Sequence, residues 1–210
     1  MTKYKTGSPK PYNQTTEGRY TGSGHVRGYC GLVNTAKPIS EYIPECEYFI
    51  EPFAGLGRIS KQVKAKVKVL NDLGDYACNY NRLHFPDAII TQEDFITCVK
   101  RWDKQGRILF FDPPWSKSEY ANGCHGRAVC IMNPKQYYEK IFELLPSLES
   151  DWFVAGNKKN TMLLKSKYYQ KMFESEKAKI MGGKIKTLVI SNKPFIKRQN
   201  LLTLEAWQTG

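Results

Sequence analysis

From about Glu47 to Ile190, apolar runs of strand length alternate with stretches of helical periodicity, and few architectures accept that order. Tyr48-Phe49-Ile50 precedes a Gly-rich turn and a predicted helix through Ile59 and Val63. Val67-Lys68-Val69-Leu70 precedes a helix over about Asp75 to Leu83, and Ala88-Ile89-Ile90 one from about Asp94 to Trp102. Arg107-Ile108-Leu109-Phe110-Phe111 runs into Asp112. Pro134, at a first-turn position, opens a helix through Tyr138, Ile141 and Leu145. Trp152-Phe153-Val154-Ala155 and Thr187-Leu188-Val189-Ile190 read as two further strands. This alternation predicts βαβ units and hence an α/β fold, a mainly parallel sheet with helices on both faces. Ligands of such sheets bind beyond the carboxyl ends of the strands. The polar and Gly-rich segments fall at those ends.

The chain has 210 residues, 41% of them apolar, enough for one domain with a buried core. Residues 1–28, rich in Gly, Thr, Ser and Tyr, read as a basic arm ahead of a domain over 29–210. No apolar run reaches bilayer-spanning length, and the polar start Met1-Thr2-Lys3-Tyr4-Lys5 lacks the apolar region of a secretory signal. The expectation is a soluble protein of the cytoplasm. The six cysteines form no CxxC pair; Cys124, His125 and Cys130 read as loop thiols and an imidazole rather than a metal site, so no metal is expected. The net charge of +12 is uneven. Residues 31–150 carry 15 cations and 15 anions, residues 151–210 carry 12 against 4, and the first thirty carry 5 against 1. Basic ends around a balanced middle suit a polyanionic partner, most simply nucleic acid, and equally a solvated lysine surface.

Glu51-Pro52-Phe53-Ala54-Gly55-Leu56-Gly57 follows the first strand. Gly55 and Gly57 allow a tight turn and close approach to a ligand. Ser60 stands where a dinucleotide fingerprint has its third glycine, and Glu51 would repel a pyrophosphate. A cationic ligand carrying an ammonium and a sulfonium suits that carboxylate better. Asp72 ends the second strand at the distance where an acidic side chain accepts from ribose hydroxyls, with Leu73 beside it to pack on an adenine face. Asp94, followed by Phe95, stands after the third strand, where it either accepts from an adenine amino group or caps the helix that follows.

The run Asp112-Pro113-Pro114-Trp115 is the most specific in the chain. The prolines fix φ, remove two backbone donors and hold the preceding residue extended. The Asp112 carboxylate and the Pro113 carbonyl then form a rigid acceptor pair beside a flat aromatic. An exocyclic amino group needs two acceptors for its hydrogens and a stacking surface for its ring.

Asp112-Pro113-Pro114-Trp115 resembles the (D/N)PP(Y/F/W) motif IV of class I S-adenosyl-L-methionine-dependent amino-methyltransferases, in particular the Dam-like DNA adenine-N6 group. Glu51 to Gly57 resembles their motif I, while Asp72 and Asp94-Phe95 resemble motifs II and III. Arg27-Gly28-Tyr29-Cys30-Gly31 to Pro44 loosely matches the segment that precedes motif I, without its usual Gly-Gly/Ser-Lys core. Leu188 to Asn192 is similar to the last antiparallel strand. The resemblance implies a Rossmann-like, doubly wound, mainly parallel seven-stranded methyltransferase sheet. It also implies that Glu51, Phe53, Gly55 and Gly57 hold the methionine part of S-adenosyl-L-methionine, Asp72 the ribose and Asp94 the adenine, with Leu73 and Phe95 beside them in the cofactor pocket. Asp112, Pro113, Pro114 and Trp115 would hold the target base.

Only 17 residues separate Asp94 from Asp112, so the large target-recognition insertion of the Dam-like group has no room there. Recognition then falls to the basic ends, to a partner subunit, or to the segment Ser116–Asn133, which carries Lys117, Tyr120, His125 and Arg127. Asn192 to Arg198 reads either as a phosphate-contacting stretch with an aromatic or as a plain basic tail. The expected activity is methyl transfer to N6 of adenine in nucleic acid, DNA before RNA. Cytosine-N4 or RNA adenine-N6 transfer, or a non-catalytic nucleic-acid-binding subunit of the same fold, are the alternatives.

Overall fold

Strands of the predicted kind form wherever β-branched and aromatic residues cluster, and their pairing fixes everything else. The computed structural model describes Leu32 and residues 35–115, 131–174 and 186–198. Seven strands make one sheet: β1 (Cys46–Glu51), β2 (Ala65–Asn71), β3 (Ile89–Thr91), β4 (Arg107–Phe111), β5 (Asp151–Asn157), β6 (Tyr169–Glu174) and β7 (Lys186–Ser191). Their spatial order is β3-β2-β1-β4-β5-β7-β6. β1 to β5 run parallel, whereas β7 lies antiparallel between β5 and β6. The chain therefore has the Rossmann-like, mainly parallel seven-stranded methyltransferase fold. The order reverses between β1 and β4, which opens a crevice at their carboxyl ends.

Among the described residues, α1 (Ala36–Ser40) precedes β1, and α2 (Asp75–His84), α3 (Phe95–Trp102), α4 (Pro134–Leu144) and α5 (Thr161–Leu164) follow β2, β3, β4 and β5. Two apolar clusters lie on the sheet. One gathers Phe95, Cys98 and Val99 of α3 with Tyr137, Tyr138 and Ile141 of α4 over Ile50, Leu109 and Val154. The other gathers Ala36 and Ile39 of α1 with Ile59 and Val63 over Phe49, Phe110 and Phe153. Residues alternating along β1, β4 and β5 thus feed opposite faces, as a sheet buried on both sides requires. No described helix is long and apolar enough to cross a membrane.

The predicted helix through Ile59 and Val63 is absent. Residues 52–62 make successive turns instead. Gly57 adopts φ 61°, outside the helical region, and the amide of Ser60 donates to the Glu51 carboxylate (3.1 Å) rather than to a carbonyl one turn back. Helical bonds survive only piecemeal, as from Lys61 to the Gly57 carbonyl. The basic stretch 192–198 is packed on the fold rather than being a plain tail. Phe195 packs with Tyr42, Phe153 and Phe173, Lys193 pairs with Asp151 and Lys197 with Glu41, and the Arg198 guanidinium donates to the Ser40 carbonyl at 2.7 Å. It is a strap that fastens the second core cluster, its aromatic half-buried among Tyr42, Phe153 and Phe173 and its cations engaged. The predicted arm 1–28, the match at Arg27 to Gly31, and Lys117, Tyr120, Cys124, His125, Arg127 and Cys130 lie outside the described residues.

Candidate functional site

The site is built where five parallel strands end. Ile50 pairs with Leu109, so β1 and β4 release their loops side by side, about 4.8 Å apart. The Glu51–Gly57 loop and Asp112 therefore leave the sheet as neighbours. Asp72 follows β2, Asp94 follows β3, and Asn157 ends β5.

Glu51 is buried, at 2% exposure, and its carboxylate accepts from both the amide and the hydroxyl of Ser60. Burial raises its pKa to about 7, against the pull of the Ser60 bonds and of Lys68. Lys68 completes the cluster by donating to the Ser60 carbonyl at 2.6 Å. Glu51 thus shapes the glycine loop from beneath. Gly55 and Gly57 both have positive φ, 50° and 61°. At Gly57 a Cβ would lie 2.7 Å from Leu70 and from the Phe85 ring, so a side chain there must displace one or both, at a φ that already disfavours it.

Asp72 is half-buried and reaches both ways along the crevice. Its Oδ2 accepts from the Gly55 amide (3.0 Å) and its Oδ1 from the Gly74 amide (2.8 Å). Burial pushes its pKa to about 6, opposed by those two bonds. A carboxylate has about four acceptor positions, so two amides leave capacity for a ligand's hydroxyls. Leu73 is half-buried beside it, its carbonyl accepting from Gln92.

Asp94 caps α3. Its Oδ1 accepts from the amides of Ile96 and Thr97, and these bonds, led by the Thr97 hydroxyl, hold its pKa below the usual carboxylate range. Phe95 is 2% exposed and belongs to the core, its ring tilted 33° against Phe53 (4.8 Å between centroids), with Tyr137 edge-on to Phe53 at 5.4 Å. This aromatic trio ties the glycine loop to α3 and α4.

On the β4 side, Asp112 and Pro114 are half-buried and Pro113 is buried. The indole N–H of Trp115 donates to Asp112 Oδ1 at 2.8 Å, and the ring packs on the second core cluster. The aromatic that sequence assigns to stacking also fixes the carboxylate in front of it.

Two residues at the site escaped sequence reading. Asn71, 1% exposed, donates to the carbonyls of Pro52 and Glu93 and accepts from the Thr91 hydroxyl and the Glu93 amide. It laces three loops together. Asn81 of α2 donates to the Gly55 carbonyl at 2.9 Å. The only signal either left was an amide side chain at a position the apolar pattern would fill otherwise. Burial raises the thiols of Cys46 and Cys98 to about 11 and 12, so neither is a thiolate at neutral pH. No metal-binding cluster exists among the described residues.

No family model matches the chain, and no curated protein does. Solved structures do. A protein from Streptococcus mutans named as a SAM-dependent methyltransferase aligns at TM-score 0.53 and 11% identity, over 77% of this chain and 48% of its own. This chain therefore spans about half of that neighbour. An rRNA methylase from Streptococcus thermophilus aligns at 0.49 and 8% identity, over 77% and 95% of the two chains. A protein from Pyrococcus horikoshii named as an RNA methyltransferase aligns at 0.49 and 13% identity, over 80% and 88%. With the strand order, the first of these likenesses defines the class of the protein by fold: a methyltransferase-type α/β domain.

Proposed function

We propose that this protein binds S-adenosyl-L-methionine at the ends of β1 to β3 and transfers its methyl group to N6 of adenine in nucleic acid, DNA in preference to RNA. The observation that carries the reading is the acceptor motif Asp112-Pro113-Pro114-Trp115, which leaves β4 beside a carboxylate-braced glycine loop on β1. The donor set fits the cofactor. Asp72, half-buried with two amides on it, has acceptor capacity for ribose hydroxyls, and the acidic surroundings of the loop favour a cation. Phe53, Gly55, Gly57, Leu73 and the Asp94-Phe95 turn complete the pocket wall, Phe95 by holding Phe53 from behind.

When bound, the cofactor supplies an electrophilic methyl group on a sulfonium. Asp112 and the Pro113 carbonyl accept the two hydrogens of the exocyclic amine, which turns its lone pair toward that carbon. With the amine held in this way, the Asp112 carboxylate or water would take the proton that the nitrogen loses on methylation. Catalysis is positioning and electrostatics in the main. In duplex DNA the base must first leave the stack, at a cost of a few kcal/mol, and stacking on Trp115 offsets about 1–3 kcal/mol of it.

The test is Asp112→Ala. Methyl transfer to an adenine-containing oligonucleotide should vanish, while S-adenosylhomocysteine, titrated calorimetrically, binds as it does to the unaltered protein. Full transfer by the variant would end the assignment of Asp112.

A further inference from the structure

The Dam-like target insertion has no room between Asp94 and Asp112, and the cations of the strap 192–198 are engaged, which turns attention to other basic surfaces near Asp112. Trp152 to Phe173 carries five lysines and no Asp or Glu. Two of those lysines, Lys158 and Lys159, stand on the turn that leaves β5 at the same edge as Asp112. Phe111 pairs with Val154, which sets Asp112 level with Ala155, and the turn begins two residues further on. At about 3.3 Å per residue, Lys158 lies within roughly 10 Å of that level.

The turn is held rigidly. The Lys159 amide donates to Asn157 Oδ1 (3.0 Å), the Asn160 amide to the Asn157 carbonyl (2.8 Å), and Asn160 Oδ1 in turn caps α5. Tyr138, through its hydroxyl, holds the Ala155 carbonyl from below at 2.9 Å. Both lysines are exposed, and neither joins an ion pair among the described residues. Lys186 and Lys193 on and after β7, by contrast, are engaged by Glu174 and Asp151. Two adjacent cations without counter-charges among the described residues, on a stapled turn beside an amine-holding loop, match a phosphate backbone. The turn itself, Asn157-Lys158-Lys159-Asn160-Thr161, offers no apolar side chain to insert into a lipid surface.

We propose that Lys158 and Lys159 contact backbone phosphates of the strand whose base is presented to Asp112, standing in for the missing insertion. The proposal rests on the nucleic-acid reading above. Its test is the salt dependence of binding to a fluorescent adenine-containing single-stranded oligonucleotide, read by anisotropy. Lys158→Gln with Lys159→Gln should lower the log–log salt slope by about 1.4, at roughly 0.7 per phosphate contact. Lys66→Gln with Lys104→Gln, the same charge change at the amino edge of the sheet, should leave the slope as it was. S-adenosylhomocysteine titrated into the same samples separates the two readings. Oligonucleotide binding that depends on the lysine pair, without cofactor binding, would sink the methyltransferase and keep this surface. An unchanged slope in the Lys158/Lys159 variant, no oligonucleotide binding by the unaltered protein, or binding to anionic vesicles alone would overturn it.

Discussion

Trp115 and Asp112 are coupled side chain to side chain at the candidate site. The indole N–H on Asp112 Oδ1, at 2.8 Å, narrows the orientations the carboxylate can take. Hydrogen bonds to charged groups contribute about 1.5–3 kcal/mol. Trp115→Phe keeps a stacking ring and loses that donor, so kcat should fall about 10- to 100-fold with cofactor affinity unchanged. An unchanged kcat would deny the contact any positioning role. Asp72 offers a second test. Because burial raises its pKa to about 6, its carboxylate charges only as the pH passes that value. Affinity for S-adenosylhomocysteine should therefore climb between pH 5 and 7, and Asp72→Asn should flatten the part of the rise centred near 6. Titration calorimetry across that range reads it directly. The Asp112 motif was legible in the sequence because Pro-Pro imposes its geometry locally. The Trp115–Asp112 bond was not, since it depends on how a side chain rotates against a core three residues away in sequence and on another face in space.

Among the elements, the glycine loop has the most to lose. A side chain at Gly57 meets Leu70 and Phe85 and must sit at φ 61°. Gly57→Ala should cost about 2–4 kcal/mol from strain and overlap together, seen as a lower denaturation midpoint. A variant of native stability would show that the loop yields. Six of the seven strands and three helices followed from periodicity and caps, with Asn133 and Gln136 closing a full capping box on α4. The helix expected through Ile59 failed because a buried carboxylate outcompeted the backbone for the Ser60 amide, a contact no window of sequence reveals. β6 was missed because it is an edge strand with little buried, and its Tyr-Gln-Lys-Met-Phe-Glu pattern has no clean alternation. α1 and α5 are too short to show a period.

At the scale of the whole molecule, the buried carboxylate beneath the loop links folding to pH. Glu51 titrates near 4.5 when unfolded and at about 7 when folded. Between those values the native state holds a proton that the unfolded chain has released, so stability is greatest below pH 4.5 as far as Glu51 is concerned and declines as pH rises through 7. Asp72 adds a similar decline between 3.8 and about 6. Glu51→Gln keeps an acceptor for Ser60 and should flatten the fall in urea-unfolding free energy between pH 5 and 7; an unaltered slope would show that Glu51 is charged in the folded protein at both pH values. The charge of the chain, +12 in all, adds nothing to the fold; under the function proposed above it serves a polyanionic partner.

The central claim is that the loop after β4 holds an adenine amino group for methylation. Incubation with S-adenosyl-L-methionine labelled in its methyl group, together with DNA and RNA, followed by digestion and nucleoside mass spectrometry, tests it most directly. The account predicts label on N6 of deoxyadenosine, lost in Asp112→Ala. Label on cytosine, on protein or on a small molecule, or equal label from the variant, would contradict it.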